Sequence, residues 1–262
     1  MQRGLTIPTL VIVPGKDLMM SKLEVVRDRR GLLTEVSREF TVRGLNIYHT
    51  IAQVSPEGRG FIFICSERTE SPADLKRSLE NIEGIGEVEI EVSETKGLLI
   101  TKLFFPLARA GRRVVILTDT ALRSMIEEMT RILGGGPANA ILFRVGYELG
   151  AGYAEVHLIT AEVIGIEDPP EVLRKISAPL LESSGFARTF IREMPDGSLD
   201  IILEESLEAE VRGRAKEPSC YFMKGILKGA LEKIFRKQVS IDEVRCKTAD
   251  SDFCEFIARI GK

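Results

Sequence analysis

Residues 219–256 read SCYFMKGILKGALEKIFRKQVSIDEVRCKTADSDFCEF, and this stretch decides how the rest of the chain is understood. It holds three of the four cysteines, in the pattern C-x22-E-x2-C-x7-C formed by Cys220, Glu243, Cys246 and Cys254. After Cys220, the apolar residues Tyr221, Met223, Ile226, Leu227, Leu231, Ile234 and Phe235 recur at helical spacing. Val239, Ile241 and Val244 belong to an extended segment that ends at Cys246. Phe253, Phe256 and Ile260 form a second one that begins near Cys254. Two cysteines therefore flank a polar turn over 247–252, and a third waits at a helix start. Such an arrangement can converge on one tetrahedral ion. Zinc accepts thiolate sulfur and carboxylate oxygen, and four protein ligands leave no open position, which makes a structural site. Two other readings exist: three buried free thiols acting as small hydrophobes, or a disulfide with one cysteine left over. Cys246 lies in EVRCKTADSD, a charged setting that suits an apolar thiol poorly. Arg245 and Lys247 are the nearest cations to offset the negative charge of three thiolates and a carboxylate.

Cys220, Glu243, Cys246 and Cys254, together with Gly225 and Gly229 in the intervening helix, resemble the C-terminal signature of the 4-vinyl reductase-type domain. That family includes the effector-sensing domains of bacterial activators of aromatic catabolism. The resemblance covers residues 97–262. It implies zinc on these four residues and a mixed α/β fold shared with nitric-oxide-sensing proteins and trafficking-particle subunits. It further implies a hydrophobic ligand cavity over a zinc-tied hairpin. The aromatic-compound sensors hold a phenolic ligand partly through a tryptophan. This chain has no Trp, which argues against phenol itself.

The 262 residues suffice for one large domain or two ordinary ones. Hydrophobic content of 44% and charged content of 29% describe a soluble globular chain. A net charge of −3 gives no electrostatic case for nucleic-acid binding. No apolar run approaches a membrane span, and the opening MQRGLTIPTLVIVPGKD lacks the cleavage site of a signal peptide. Four cysteines, three of them assigned to a metal, point to a reducing cytoplasm. Scarce Asn and Gln beside plentiful Glu, Arg and Ile are the bias of a heat-adapted proteome.

Along the chain, residues 1–20 carry one strand, 9–13, a candidate addition to the domain after it. From residue 21 the pattern is regular: strand 22–27, a turn over 28–31, and a helix with Leu32, Leu33, Val36 and Phe40 in its apolar stripe. Strands 45–54 and 60–65 come next, then a helix after Ser71-Pro72 and a last strand, 87–92. The order is βαββαβ, a split βαβ sandwich. DRRGLLTEVSREFTVRGLNI resembles the first strand-to-helix turn of ACT domains at Asp28, Arg29, Gly31, Leu32, Leu33, Gly44, Leu45, Asn46 and Ile47. The family expects proline where Arg30 stands. The resemblance covers 21–93 and implies a ferredoxin-like regulatory domain that pairs with its own copies. Many members bind an amino acid at this turn, which here involves Asp28, Gly31, Leu32, Leu33 and Asn46. Backbone N–H groups at a helix N-terminus can receive its carboxylate. Gly31 also has a purely conformational explanation, as the residue that swings a turn into a helix.

After a polar connection over 93–97, segments 98–105 and 112–117 are extended. A helix with Leu122, Met125, Ile126, Met129 and Leu133 follows Asp119-Thr120. Gly134-Gly135-Gly136-Pro137 lacks the Lys-Ser/Thr of a phosphate loop and reads as a helix–helix turn. The next helix holds Phe143 and Tyr147 and is expected to end in GAGYAE. Gly146 and Gly150 lie four apart on one face, so another element should approach closely there. A helix after Pro169-Pro170, two strands joined by Pro195-Asp196-Gly197, and a charged, solvated segment over 204–216 complete the chain.

No G-x-G-x-x-G opens a helix after a strand, and two scattered histidines, His49 and His157, build no catalytic constellation. The chain therefore reads as a cytoplasmic binding module of α+β class, an ACT-like domain joined to a sensor domain, and as a homodimer. Met125, Met129, Phe143, Tyr147, Phe190, Tyr221 and Phe222 are the residues expected to line an apolar cavity for a small hydrophobic or aromatic ligand. They would equally make an ordinary core. A ligand-free assembly subunit and an accessory protein for vinyl reduction in tetrapyrrole metabolism are the alternatives.

Overall fold

The computed structural model describes residues 6–109 and 111–261. The chain divides into two compact units, Met1–Val115 and Ile116–Lys262.

In the first unit, β1 (Leu10–Ile12) is followed by β2 (Leu18–Val25), α1 (Leu32–Thr41), β3 (Ile47–Val54), β4 (Gly60–Glu67), α2 (Pro72–Glu80) and β5 (Ile85–Val92). After these come β6 (Leu98–Ile100) and the short strands β7 (Ala108–Arg109) and β8 (Arg112–Arg113). Strands β2 to β5 form an antiparallel sheet in the order β3-β4-β2-β5. Alternation decides the faces. Met19, Leu23, Ile62, Ile64 and Val88 meet Leu32, Val36 and Phe40 of α1 and Leu75 and Leu79 of α2 in one core. Leu18, Met20 and Cys65 belong to a separate cluster with Val11 and Leu99, which the β1–β6 pair supplies. The early strand thus pairs with β6 and not with the main sheet. Gly31 precedes α1 at φ 85, and a Cβ there would meet nothing within 4 Å. The left-handed backbone, not close packing, calls for glycine at this turn.

The second unit contains α3 (Asp119–Leu133), α4 (Gly135–Ile164), α5 (Pro169–Val172), a π turn (Leu173–Ser177) and α6 (Ala178–Ser183). Then come β9 (Arg188–Glu193), β10 (Leu199–Glu204), α7 (Leu207–Arg212), α8 (Tyr221–Phe235), β11 (Val239–Arg245) and β12 (Cys254–Ile260). The sheet is antiparallel in the order β11-β12-β10-β9. Its inward residues Ile201, Leu203, Ile241, Phe256 and Ala258 join Leu142, Ala154, Met223 and Leu231 of α4 and α8 in one core. Among the described residues, no helix is long and apolar enough to cross a membrane.

Helices α4 and α8 touch backbone to backbone. A Cβ at Gly146 would lie 2.2 Å from the Phe222 carbonyl oxygen, and one at Gly150 would lie 2.0 Å from that of Ile226. The contact is reciprocal: Gly225 faces the Phe143 carbonyl at 2.2 Å and Gly229 that of Tyr147 at 2.0 Å. Four glycines at spacing four form a flat seam that no side chain could enter. This corrects the expected helix end at GAGYAE. Helix α4 continues to Ile164 and stops at Gly165, φ 74, because Gly146 and Gly150 serve interhelical contact and do not break the helix. The expected solvated segment over 204–216 is also corrected. It contains α7, whose Glu208, Ala209 and Val211 are buried, because Glu208 has partners at the start of α8.

The seam gives a paired test. Gly150→Ala should destabilise the second unit by more than ~2 kcal/mol, because a backbone carbonyl must move. Gly152→Ala, where a Cβ would meet nothing within 4 Å, should leave stability unchanged or raise it by up to ~1 kcal/mol through helix propensity. Thermal unfolding of the two variants measures the contrast, and equal losses would refute the seam.

Candidate functional site

Helix α8 begins at Cys220, and its first N–H groups find partners outside the helix. The Cys220 N–H donates to Glu243 Oε2 at 2.9 Å, and the Phe222 and Met223 N–H groups donate to the two oxygens of Glu208 at 3.1 and 2.8 Å. These are the donors that a helix start leaves orphaned. Two carboxylates there also meet the positive end of the helix dipole. Glu208 is fully buried, and burial pushes its carboxyl above the usual range against the pull of Arg212, whose Nε lies 2.8 Å from Oε1. Arg123 of α3 donates to the Val211 and Glu210 carbonyls at 2.5 and 3.2 Å. It thereby closes the C-terminal end of α7.

The second half of the site is the β11–β12 hairpin. Its register shifts between Glu243 and Arg245. Residues three apart on a regular strand point to opposite faces. The bulge removes that conflict and lets Glu243 and Cys246 serve one point. The sulfurs of Cys220, Cys246 and Cys254 are 3.4 to 3.6 Å apart. With a Glu243 oxygen, the four ligand atoms lie within 4.8 Å of one another and could hold a metal ion. Glu243 Oε1 is buried without a hydrogen-bond partner, as befits a ligand oxygen aimed at a cation. All four predicted ligands therefore converge. The expected role of Arg245 and Lys247 is corrected: they pair with Glu255 and Glu210, both at 3.2 Å. The Cys246 sulfur instead accepts from Thr248 Oγ1 at 3.0 Å and from its backbone N–H at 3.5 Å.

Without a cation, the cluster cannot ionise fully. Hydrogen bonds from Cys220 and Cys254 hold the Cys246 thiol far below its ordinary value, and the same bonds push Cys220 far above it. Cys254 stands at about 12, because the hydrogen bond with Cys246 and burial outweigh the lowering by Cys220. Burial, then the neighbouring Cys246, raises Glu243 to about 8. One thiolate is formed and the carboxylate is protonated. For stability the two shifts oppose each other. The lowered Cys246 contributes stability that grows as pH rises, while the raised Glu243 contributes stability that is lost as pH rises towards its folded value of about 8. Between roughly pH 5 and 8 the two offset, leaving the metal-free chain nearly flat in stability.

Metal binding must displace the protons of Cys220, Cys254 and Glu243, so about three should be released at pH 7. The apparent metal affinity should then rise steeply with pH up to about 8. Calorimetry in buffers of different ionisation heats counts the protons. Release of fewer than two would contradict this charge assignment.

A cavity of about 40 Å³ lies in the same unit, walled by α4, α8, the sheet and the segment from the π turn to α6. Its lining is aliphatic apart from Tyr153, His157, Ser177 and Thr189. The His157 Nδ1 is 3.0 Å from the Ser177 hydroxyl.

None of the seven residues expected to line a cavity lines this one. Met125 and Phe190 are exposed, and Met129 packs at the core's margin. Tyr147 donates its hydroxyl to Glu232 at 2.6 Å, while Phe143, half-buried, lends its carbonyl to the glycine seam. Tyr221 lies under the Arg212 guanidinium at 6.0 Å, and the ring of buried Phe222 faces Phe186 at 6.5 Å. On β9 the lining falls to Thr189 and Ile191, and strand parity turns Phe190 the other way. The usable sequence signal was Gly150, Ala154, His157 and Ala161, a buried stripe at spacing three and four.

At the turn before α1, Asp28 donates its backbone N–H to the Gly58 carbonyl at 2.8 Å. Leu32 enters the core, while Leu33 is exposed. Asn46, exposed, accepts the Glu67 N–H at 3.0 Å on its carbonyl.

Residues 199–260 match the vinyl-4-reductase domain family, and residues 107–193 match the family described as activator of aromatic catabolism. The chain is 22% identical over 129 residues to an uncharacterised protein of Methanocaldococcus jannaschii, covering 49% of this chain and 69% of that protein. A second uncharacterised protein of that organism is 40% identical over 47 residues, covering 18% of this chain and 26% of that protein. The structure resembles that of the phenol-responsive sensory domain of the transcription activator PoxR with phenol. The TM-score is 0.51 and the identity 20%, over 57% of this chain and 78% of that one. The C-terminal part thus carries a vinyl-4-reductase domain preceded by a match to aromatic sensor domains, in a fold similar to that of a sensory domain.

Proposed function

We propose that the chain is a cytoplasmic small-molecule sensor. The second unit takes a small apolar or aromatic ligand, and one zinc ion is bound structurally by Cys220, Glu243, Cys246 and Cys254. The observation that carries this reading is the apolar cavity with a buried His–Ser pair, inside a unit whose sequence matches sensory domains. Zinc suits the donor set. A tetrahedral site with zinc–sulfur bonds of ~2.3 Å has sulfur–sulfur edges of about 3.8 Å, close to the separations here. Four protein ligands make the ion a tie between α8 and the hairpin and leave it no place for a substrate.

The proposal extends to the first unit. Residues 21–93 act as an ACT-type regulatory domain that pairs with a second copy, and 97–262 act as the sensor domain. The βαββαβ order and the positive φ of Gly31 support that assignment. An amino acid at the Gly31 turn belongs to the same reading. The assembly-subunit reading draws on the small cavity and on exposed Ile141, Val145, Ile159 and Val163 of α4.

Native mass spectrometry of freshly purified protein separates the two. The sensor reading expects a dimer with one zinc per chain and a small neutral adduct retained or exchangeable. A metal-loaded chain that takes up no small molecule, and instead captures another protein subunit, would favour assembly. Cys246→Ser should lose the metal and lower the melting temperature of the second unit by the equivalent of several kcal/mol, because metal binding energy is folding energy here. The first unit should melt unchanged. Retention of zinc by this variant would exclude the four-ligand site.

A further inference from the structure

The cavity carries a chemical signature that narrows its ligand, an inference that rests on the sensor reading above. Leu173, Ile191, Ile201 and Leu231 make its walls apolar, and no charged side chain lines it. A carboxylate or ammonium would be stripped of water without a counter-charge, so a charged ligand is disfavoured. The polar groups are few and unequal. The Thr189 hydroxyl is committed to the Ala187 carbonyl at 3.2 Å. That leaves the pair formed by His157 Nδ1 and Ser177 Oγ, 3.0 Å apart and both buried.

Ser177 reaches this position at the end of the π turn Leu173–Ser177. One extra residue in a helical turn rotates the succeeding residues by about 100° round the axis. Such turns are poorer in hydrogen bonding than an α-helix and recur at functional sites. Here the turn lies against the cavity, and both Leu173 and Ser177 line it.

The pairing leaves Ser177 with unused capacity whichever tautomer His157 adopts. If Ser177 donates to Nδ1, its oxygen can still accept. If Nδ1–H donates to Ser177, the hydroxyl proton is free to donate. A ligand hydroxyl answers both cases, being donor and acceptor at once, whereas a carbonyl or an ether answers only one. Size sets a second limit. A cavity of ~150 Å³ admits a benzene ring, and this one is about a quarter of that. The space as it stands fits a short carbon skeleton, and a ring enters only when a wall yields.

We propose that Ser177, seated on His157 by the π turn, is the hydrogen-bonding point of this cavity, and that its ligand is a small uncharged alcohol whose carbon skeleton fills the apolar space. The test uses the full chain and a shape-matched pair of probes, 1-butanol and n-pentane, in which a methyl group replaces the hydroxyl. Methyl chemical shifts of Ile191, Ile201, Ile226 and Leu231 report occupancy. 1-Butanol should shift them saturably. Ser177→Ala should weaken 1-butanol about threefold to tenfold, the loss of one neutral hydrogen bond, and leave n-pentane unaffected. Ser177→Cys, which keeps the shape and a weaker donor, should fall between. Thermal unfolding of each variant checks that the fold persists. If n-pentane binds as well as 1-butanol and Ser177→Ala changes neither, the polar anchor is wrong while the sensing cavity stands. If neither probe shifts these methyls at saturating concentration, both the anchor and the cavity as a ligand site are wrong.

Discussion

The second unit depends on two helix backbones in contact. Gly146 and Gly150 on α4 lie against the Phe222 and Ile226 carbonyls of α8, and Gly225 and Gly229 return the contact. An ordinary helix pair stands 8–10 Å apart because side chains keep it so. Removing four side chains lets the axes approach and fixes both the angle and the register of α8. Cys220 lies one residue before α8, so the seam also fixes where the first ligand of the candidate metal site stands. Gly150, Ile226 and Ala230 line the cavity as well. One contact therefore serves as the cavity's floor and as the frame of the metal cluster.

That frame carries buried charge with little room for error. Two acidic side chains converge on the first turn of α8, and they are satisfied differently. Glu208 has a resident counter-charge in Arg212 and two backbone donors, so it is complete. Glu243 has one backbone donor and one oxygen without a partner. A half-satisfied buried carboxylate costs free energy unless a cation completes it. Three sulfurs beside it make a divalent ion the natural completion.

The sequence made the metal cluster legible, because ligand chemistry is carried by rare residue types at fixed spacing. The glycine seam was legible for a similar reason, since Gly146 and Gly150 recur at helical spacing. The extent of α4 was not. Glycine weakens a helix on propensity alone, and only the partner helix explains why the helix passes through Gly150 and Gly152. The buried role of Glu208 was hidden too. LEAEVRGR has the charge pattern of a surface segment, and its partners lie at residues 222 and 223, across the fold. The cavity eluded a search for aromatic and methionine residues. Such side chains fill space, whereas a void is left where small residues such as Gly150, Ala178 and Ala230 meet.

These constraints divide the walls of the cavity by stiffness. The floor is fixed by carbonyl-to-glycine contacts that have no slack, and the sheet is held by its ladder. The remaining wall is the run α5, π turn and α6, in which four- to six-residue pieces succeed one another. A π turn holds one residue more than an α turn, so it can shift register by a residue without unfolding its neighbours. Any ligand larger than the present space has to gain its volume there, because displacing α4 or α8 would drive a backbone carbonyl into a backbone. A segment that supplies both the polar contact, Ser177, and the yielding wall joins recognition to conformational response.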